Sequence, residues 1–383
     1  MKLPLTRIFH TDHNERAANP DADKEGDGLR RRLYVSYCPS QNTSLTQHPS
    51  DLTASASARH DISGLALTYD NDSQILDGAG SQLHRIYSVY ALSRFLEVPY
   101  IHSPLKKLSY QGLLSLEKNE TNPELISRYN TLFTIPSDIE IPKHAKILHI
   151  YKQDLSWLYS LKNSVTRSSD FLLLKLSWPF SFIRQHPEIF QHVKPISPFK
   201  RISSSIFKIV IHIRRGDLLI SPEGNRMLPN SYYINLTLRI VEVLNTLGIS
   251  WSCELHTEVP TKTFVVTSEN SAMQTMKERV LHPVMLKQEE SFFEEFNVIP
   301  HLKICNNHDP VEAIRSFATA DLFIMSRSTF SYLGAILNKT GIIVYHPFWF
   351  SAPVEWIDST HELSFHERLV AACEGWKKSS AFS

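Results

Sequence analysis

Short apolar runs of strand length alternate with stretches in which apolar residues return at helical spacing. The runs Leu33–Tyr37, Gly64–Tyr69, Tyr100–His102, Lys146–Tyr151, Phe171–Leu176, Phe207–Ile213, Lys262–Thr267, His301–Cys305, Asp321–Ser326 and Gly341–Tyr345 predict strands. Between them, Leu83, Ile86, Tyr87, Tyr90, Ala91 and Phe95 mark a helix with Ser81 as its N-cap, ending near Val98-Pro99. Tyr233, Leu236, Ile240, Val243 and Leu247 mark another, capped by Asn230. Residues 271–296 read as largely helical. Asp309-Pro310 opens a helix with Asp as cap and Pro at the first helical position, its inner face Val311, Ile314 and Phe317. A last helix runs from Ser328 to Leu337.

Strands alternating with helices in both halves predict an α/β protein, doubly wound, in two lobes. Pro187, Pro195, Pro198 and the serines at 203–205 mark the join between them. The expected organisation is a polar, disordered tail over 1–32, an N-terminal domain over 33–195 and a C-terminal domain over 196–383.

The run from Phe207 to Asp217 organises the chemistry. Its strand is apolar until it ends in His212, Arg214, Arg215, Gly216 and Asp217. Charge gathered at a strand's carboxyl end is how an open α/β sheet presents a ligand site. Two guanidinium groups suit a phosphate or diphosphate, although the same residues also fit a surface turn with a local ion pair. Two further strands end in polar residues, Ser268-Glu269 and Ser326-Arg327-Ser328-Thr329. In a parallel sheet these ends share one edge. Ser328, Thr329 and Phe330 stand where backbone N–H groups open a helix, a phosphate seat or a plain N-cap. Gly78 and Gly80 form a Gly-x-Gly turn before the first helix, which serves either as a tight connection or as an anion site.

Composition narrows the classes. The chain has 383 residues, 40 basic and 39 acidic, for a formal net charge of +1. That balance argues against nucleic acid as the main partner. Cys38, Cys253, Cys305 and Cys373 are scattered, with no zinc-ligand spacing. Of the Asp-x-Asp triplets, Asp21-Ala22-Asp23 lies in the tail and Asp70-Asn71-Asp72 in a loop, so neither reads as a metal signature, and no Walker or nucleophile-elbow motif occurs. Met1–Pro20 lacks the apolar core of a secretory signal. As written the chain is expected to be soluble and cytoplasmic, or a Golgi-lumen protein if an N-terminal anchor is missing.

His212-x-Arg214-Arg215-x-Asp217 resembles the first signature of the GDP-fucose-dependent fucosyltransferases of the α1,2, α1,6 and peptide-O type. Ala320–Ala335 is similar to that superfamily's C-terminal motif, closest to the α1,2 branch, with Tyr332-Leu333 in place of its tryptophan pair. Pro229–Tyr233 resembles the branch's Pro-x-x-Tyr-Tyr helix start, Thr267-Ser268-Glu269 stands where the middle motif carries Ser/Thr-Asp-Asp, and Gly78–Leu83 resembles the N-terminal Gly-rich turn.

The resemblance implies a GT-B-like fold of two Rossmann-like domains with a cleft between them. It implies inverting transfer of L-fucose from GDP-fucose to a glycan hydroxyl, with no cofactor and no metal. Arg214 is expected on the β-phosphate. Arg215 supports it or orients Asp217, and His212 shapes the nucleotide pocket. Ser268, Glu269, Ser326, Ser328, Thr329 and Phe330, with Gly78 and Gly80 across the cleft, complete the substrate contacts. Glu223 stands roughly where some relatives carry a catalytic carboxylate, and equally fits a solvated loop residue. The alternatives are a transferase of another nucleotide sugar and a non-catalytic nucleotide-sugar or glycan-binding protein of the same fold.

Overall fold

The computed structural model describes residues 64–71, 78–108, 122–151, 155–165, 171–183, 186–201, 204–215, 227–259 and 293–380. The tail over 1–32, the strands expected at Leu33–Tyr37 and Lys262–Thr267, and most of the helical stretch from 271 lie outside these residues, as do Gly216, Asp217, Glu223, Ser268 and Glu269.

The first sheet has three parallel strands, β1 (Leu65–Tyr69), β2 (Lys146–Ile150) and β3 (Leu172–Leu176), in the order β1-β3-β2. Helix α1 (Ala79–Phe95) packs along β1. It is followed by α2 (Asn122–Phe133), α3 (Leu155–Val165) and the single turn α4 (Phe180–Ile183). Tyr100 joins β1 only through one bridge to Leu67, so the strand expected at Tyr100–His102 is no longer than that contact. Helix α1 begins earlier than the sequence predicts. Gly78 is its N-cap, no side chain caps it, and Ser81 lies inside.

The second sheet has six parallel strands: β4 (Phe207–Ile213), β5 (Trp251–Thr257), β6 (Leu302–Asn306), β7 (Leu322–Ile324), β8 (Ile342–Tyr345) and β9 (Ile357–Asp358). Their order is β6-β5-β4-β7-β8-β9. The organising strand β4 is therefore central and paired on both sides. Continuous apolar sequence is what a strand buried on both faces requires. Phe207, Ile209, Ile211 and Ile213 face a core built with α5 (Asn230–Thr246) and α8 (Glu362–Ser380). Val210 joins the opposite core, under α6 (Pro310–Thr319) and α7 (Thr329–Leu337).

That opposite core is continuous with the core of the first sheet, because α1 lies against α7. The contact explains one glycine. A Cβ on Gly80 would stand 2.7 Å from the Phe330 Cα, so only glycine lets the two helix starts approach this closely.

The polar start of α6 follows the chemistry expected of it. Asp309 caps α6 by accepting from the N–H groups of Val311 and Glu312 at 2.9 and 3.3 Å. The N-cap of α5 is Pro229, not Asn230. Proline has no N–H to leave unsatisfied there, and the Asn230 side chain is engaged by Arg215 instead. Among the described residues no helix is long and apolar enough to cross a membrane.

Candidate active site at the carboxyl edge of the second sheet

All six strands of the second sheet end at one edge, and the charges gather there. His212 is the last buried polar residue on its face of β4. Its Nδ1 lies 3.1 Å from the Ser326 hydroxyl and closer still to that of Ser331. The two hydroxyls are 2.9 Å apart, and the Ser331 oxygen accepts from the Ser326 N–H at 3.2 Å. One imidazole and two hydroxyls thus fasten the end of β4 to the turn between β7 and α7. Phe317 and Phe330 close over the imidazole, at 5.0 and 5.6 Å between ring centres. Burial, and then the charges of Arg214, His256 and Arg215, hold the imidazole pKa well below its ordinary value. His212 is neutral at physiological pH and shapes the site rather than adding charge.

The two adjacent arginines separate in role. Arg215 is 4% exposed. It donates to the Arg214 carbonyl at 3.0 Å, to the Leu228 carbonyl at 2.9 Å and to the Asn230 side chain at 2.8 Å. It therefore clamps the strand end to the start of α5. Arg214 is half-buried at the sheet edge. On the neighbouring strand, Thr257 Oγ1 donates to the Ile213 carbonyl at 2.9 Å, tying the ends of β4 and β5 together.

Ser328 is the N-cap of α7, its hydroxyl accepting from the Phe330 N–H at 3.2 Å. Ser326 and Ser328 are buried, while Arg327, Thr329 and Phe330 are half-buried. Arg327 reaches His346, beyond β8, at 2.9 Å. The edge therefore has a buried layer of His212, Ser326 and Ser331 and an outer layer of Arg214, Arg327, Thr329 and Phe330. Two guanidinium groups beside a helix N-terminus make an electropositive seat. Arg327 lies within Ala320–Ala335, where its sequence neighbours are the hydroxyls of Ser326, Ser328 and Thr329.

On the side of β4 away from β7 lies β5, a strand the apolar pattern does not predict. Its end brings His256 and Thr257 to the edge. His256 lies 5.4 Å from the Phe317 ring and 3.5 Å from Glu254. Glu254 also meets Lys208 at 2.9 Å and Ser316 at 2.9 Å, and its carboxyl is held far below the usual carboxylate range by His256, Lys208 and Ser316. Burial holds the His256 imidazole pKa below its ordinary value, against the pull of Glu254.

Tyr332 stands where the resembled motif carries tryptophan. It is buried among His84, Phe190, Phe350 and Trp356, and its hydroxyl donates to the Ser351 carbonyl at 2.7 Å. Gly78 and Gly80 start α1, and Gly80 lies on Phe330. Two cavities, of about 500 and 810 Å³, open at the opposite, amino edge of the second sheet. Arg201 there is paired with Asp321, and Lys208 with Glu254.

No family model matches the chain, and no curated protein matches it. Among solved structures, apo POFUT1 is similar at 10% identity and a TM-score of 0.33, over 76% of this chain and 100% of that one. POFUT1 in complex with GDP-fucose gives 10% and 0.33, over 77% and 99%. E. coli heptosyltransferase WaaC with ADP gives 11% and 0.32, over 74% and 88%.

Proposed function

We propose that this chain is an inverting glycosyltransferase of GT-B type that moves L-fucose from GDP-fucose to a hydroxyl of a glycan acceptor without a metal. The observation that carries the reading is Arg214, half-buried at the end of β4, held beside the N-terminus of α7 by the His212–Ser326–Ser331 network. Transfer breaks the bond between the sugar C1 and the β-phosphate oxygen, and negative charge grows on that phosphate. Arg214, with the Thr329 N–H and the positive end of α7, offsets the charge in the role a divalent ion plays elsewhere. Arg327 widens the positive field, and neutral His212 keeps the strand end and helix start in register. The fucosyl part of the reading rests on the sequence resemblance at His212–Asp217 and Ala320–Ala335.

A transferase of another nucleotide sugar is the second reading. It is favoured by β5 ending in His256-Thr257-Glu258, so that residues other than Ser268 and Glu269 end the strand beside β4. Release of nucleotide from GDP-fucose, GDP-mannose, UDP-galactose and an ADP-sugar, each with EDTA, separates the readings. Turnover of GDP-fucose alone, indifferent to EDTA, is expected. Turnover of another donor in preference, or abolition by EDTA, would overturn the fucosyl or the metal-free part respectively.

A further inference from the structure

A second polar cluster sits at the carboxyl edge of the first sheet. Asp70 follows β1, His149 lies near the end of β2, and Ser177 follows β3. One carboxylate oxygen of Asp70 accepts from the Ser177 hydroxyl at 2.8 Å and lies 3.0 Å from His149 Nδ1. The Asp70 side chain is 5% exposed and that of His149 is 51% exposed. A carboxylate at Nδ1 places the imidazole hydrogen there and leaves the lone pair on Nε2. Ser177 donates to the carboxylate and not to the imidazole, so it steadies Asp70 and is no activated nucleophile. The arrangement is a buried carboxylate orienting an accessible imidazole, which is the make-up of a general base.

The cluster belongs beside the site already described. Helix α1 starts at the same edge of the first sheet, and its Gly80 abuts Phe330 at the start of α7. The carboxyl edges of both sheets therefore meet at this contact. Tyr151 and Trp178 stand at the same edge, 6.5 Å apart, with Arg85 4.7 Å from the centre of the Trp178 ring. Aromatic faces beside a polar dyad suit a sugar, which presents apolar C–H faces and hydroxyl edges.

We infer that Asp70 and His149 form the acid–base dyad that takes the proton of the attacking hydroxyl, with Tyr151 and Trp178 as the acceptor's platform. This deepens the transferase reading and rests on it. In the step, the acceptor oxygen bonds to the sugar C1 as its proton passes to His149 Nε2. The bond from C1 to the phosphate oxygen breaks, and its electron pair leaves with the nucleotide diphosphate. The imidazolium then returns its proton to solvent. The charged and titratable groups beside His149 are Asp70, its β3 register partner Lys175, Lys146 on its own strand and Tyr151 just after that strand, with Arg85 on Trp178 farther along the edge.

The test is GDP release from GDP-fucose in water, with water in the acceptor's place, and again with methyl β-D-galactoside, as a function of pH. His149→Gln should lower kcat about 10²–10³-fold at unchanged KM for GDP-fucose and abolish the acid limb of the wild-type profile. Asp70→Asn should lose at least tenfold, and imidazole in the buffer should restore part of the activity of His149→Gly. His149 is half-exposed, so an unchanged melting temperature is expected and separates loss of chemistry from loss of fold. Wild-type turnover and an unaltered acid limb in His149→Gln would overturn the dyad while leaving the transferase reading standing. An acid limb lost in Glu223→Gln but kept in His149→Gln would do the same. No GDP binding by wild type, measured by calorimetry, would remove both.

Discussion

Replacing Gly80 by alanine tests how the two sheets are joined. The added Cβ would lie 2.7 Å from the Cα, 2.9 Å from the Cβ and 3.0 Å from the Cδ2 of Phe330. Carbon atoms rest about 3.5–4.0 Å apart, so α1 and α7 must separate by several tenths of an ångström. The nearest atom is backbone, and no rotamer change relieves it. Phe330 cannot retreat alone, because the start of α7 is held by Ser328 N–H on the Ser326 carbonyl at 2.8 Å and by Ser331 on Ser326. Overpacking of this kind costs about 1–3 kcal/mol. The better helix propensity of alanine returns up to ~1 kcal/mol, leaving a net loss on the order of 1–2 kcal/mol. Gly375, inside α8, is the control, since nothing lies within 4 Å of its added Cβ. Gly375→Ala should gain up to ~1 kcal/mol. Urea unfolding should therefore move the two midpoints in opposite directions at unchanged slope. A Gly80→Ala midpoint at or above wild type would refute the packing argument.

Three further outcomes follow from the same geometry. Burial, with the Arg85 charge, lowers the His84 pKa from 6.5 to about 3. Below pH 6.5 the unfolded chain binds a proton that the folded chain refuses, so stability is full above that pH and falls as pH drops; at pH 5 the loss from His84 is about 2 kcal/mol. His84→Phe, in its box of Phe190, Tyr332 and Phe350, should make the pH 5–6.5 segment of a melting-temperature profile shallower, leaving the part due to buried His212. Arg215→Met should lower the unfolding free energy by about 2–4 kcal/mol, because it removes charged donors from the Leu228 carbonyl and Asn230; Arg214→Ala should change it by less than ~1 kcal/mol in the same urea titration. Ser328→Ala should cost about 1 kcal/mol as a lost N-cap, measured likewise.

The elements most readily read from the sequence were those whose local chemistry agrees with their burial. β4 is apolar throughout and central. Asp309-Pro310 starts α6 by a rule that involves only adjacent residues. β5 is not predicted by the apolar pattern because Ser252, Glu254 and His256 give it a polar face, and Glu254 there is satisfied by Lys208 and Ser316, which lie far away in sequence. Helix α1 hides more. Gln82, His84, Arg85, Ser88 and Ser93 are all buried in it, so no polar face marks its solvent side. Of the candidate site, the motif residues on β4 and α7 were legible, since each is a strand end beside a turn. The division of labour between Arg214 and Arg215 was not, because it depends on where Leu228 and Asn230 lie. The Asp70–His149–Ser177 cluster was illegible for the same reason: its members stand on three separate strand ends, and the sheet order β1-β3-β2 assembles them.

The measurement that bears most directly on the central claim is calorimetry of GDP against wild type and Arg214→Ala, with and without EDTA. The account predicts micromolar binding that EDTA leaves unchanged and that weakens at least 100-fold in the variant, a loss of about 3 kcal/mol consistent with removing a charged phosphate contact. Equal binding by both proteins, or none by either, would contradict it. Arg214 would then be a charged strand end, and the carboxyl edge of the second sheet would not be a nucleotide site.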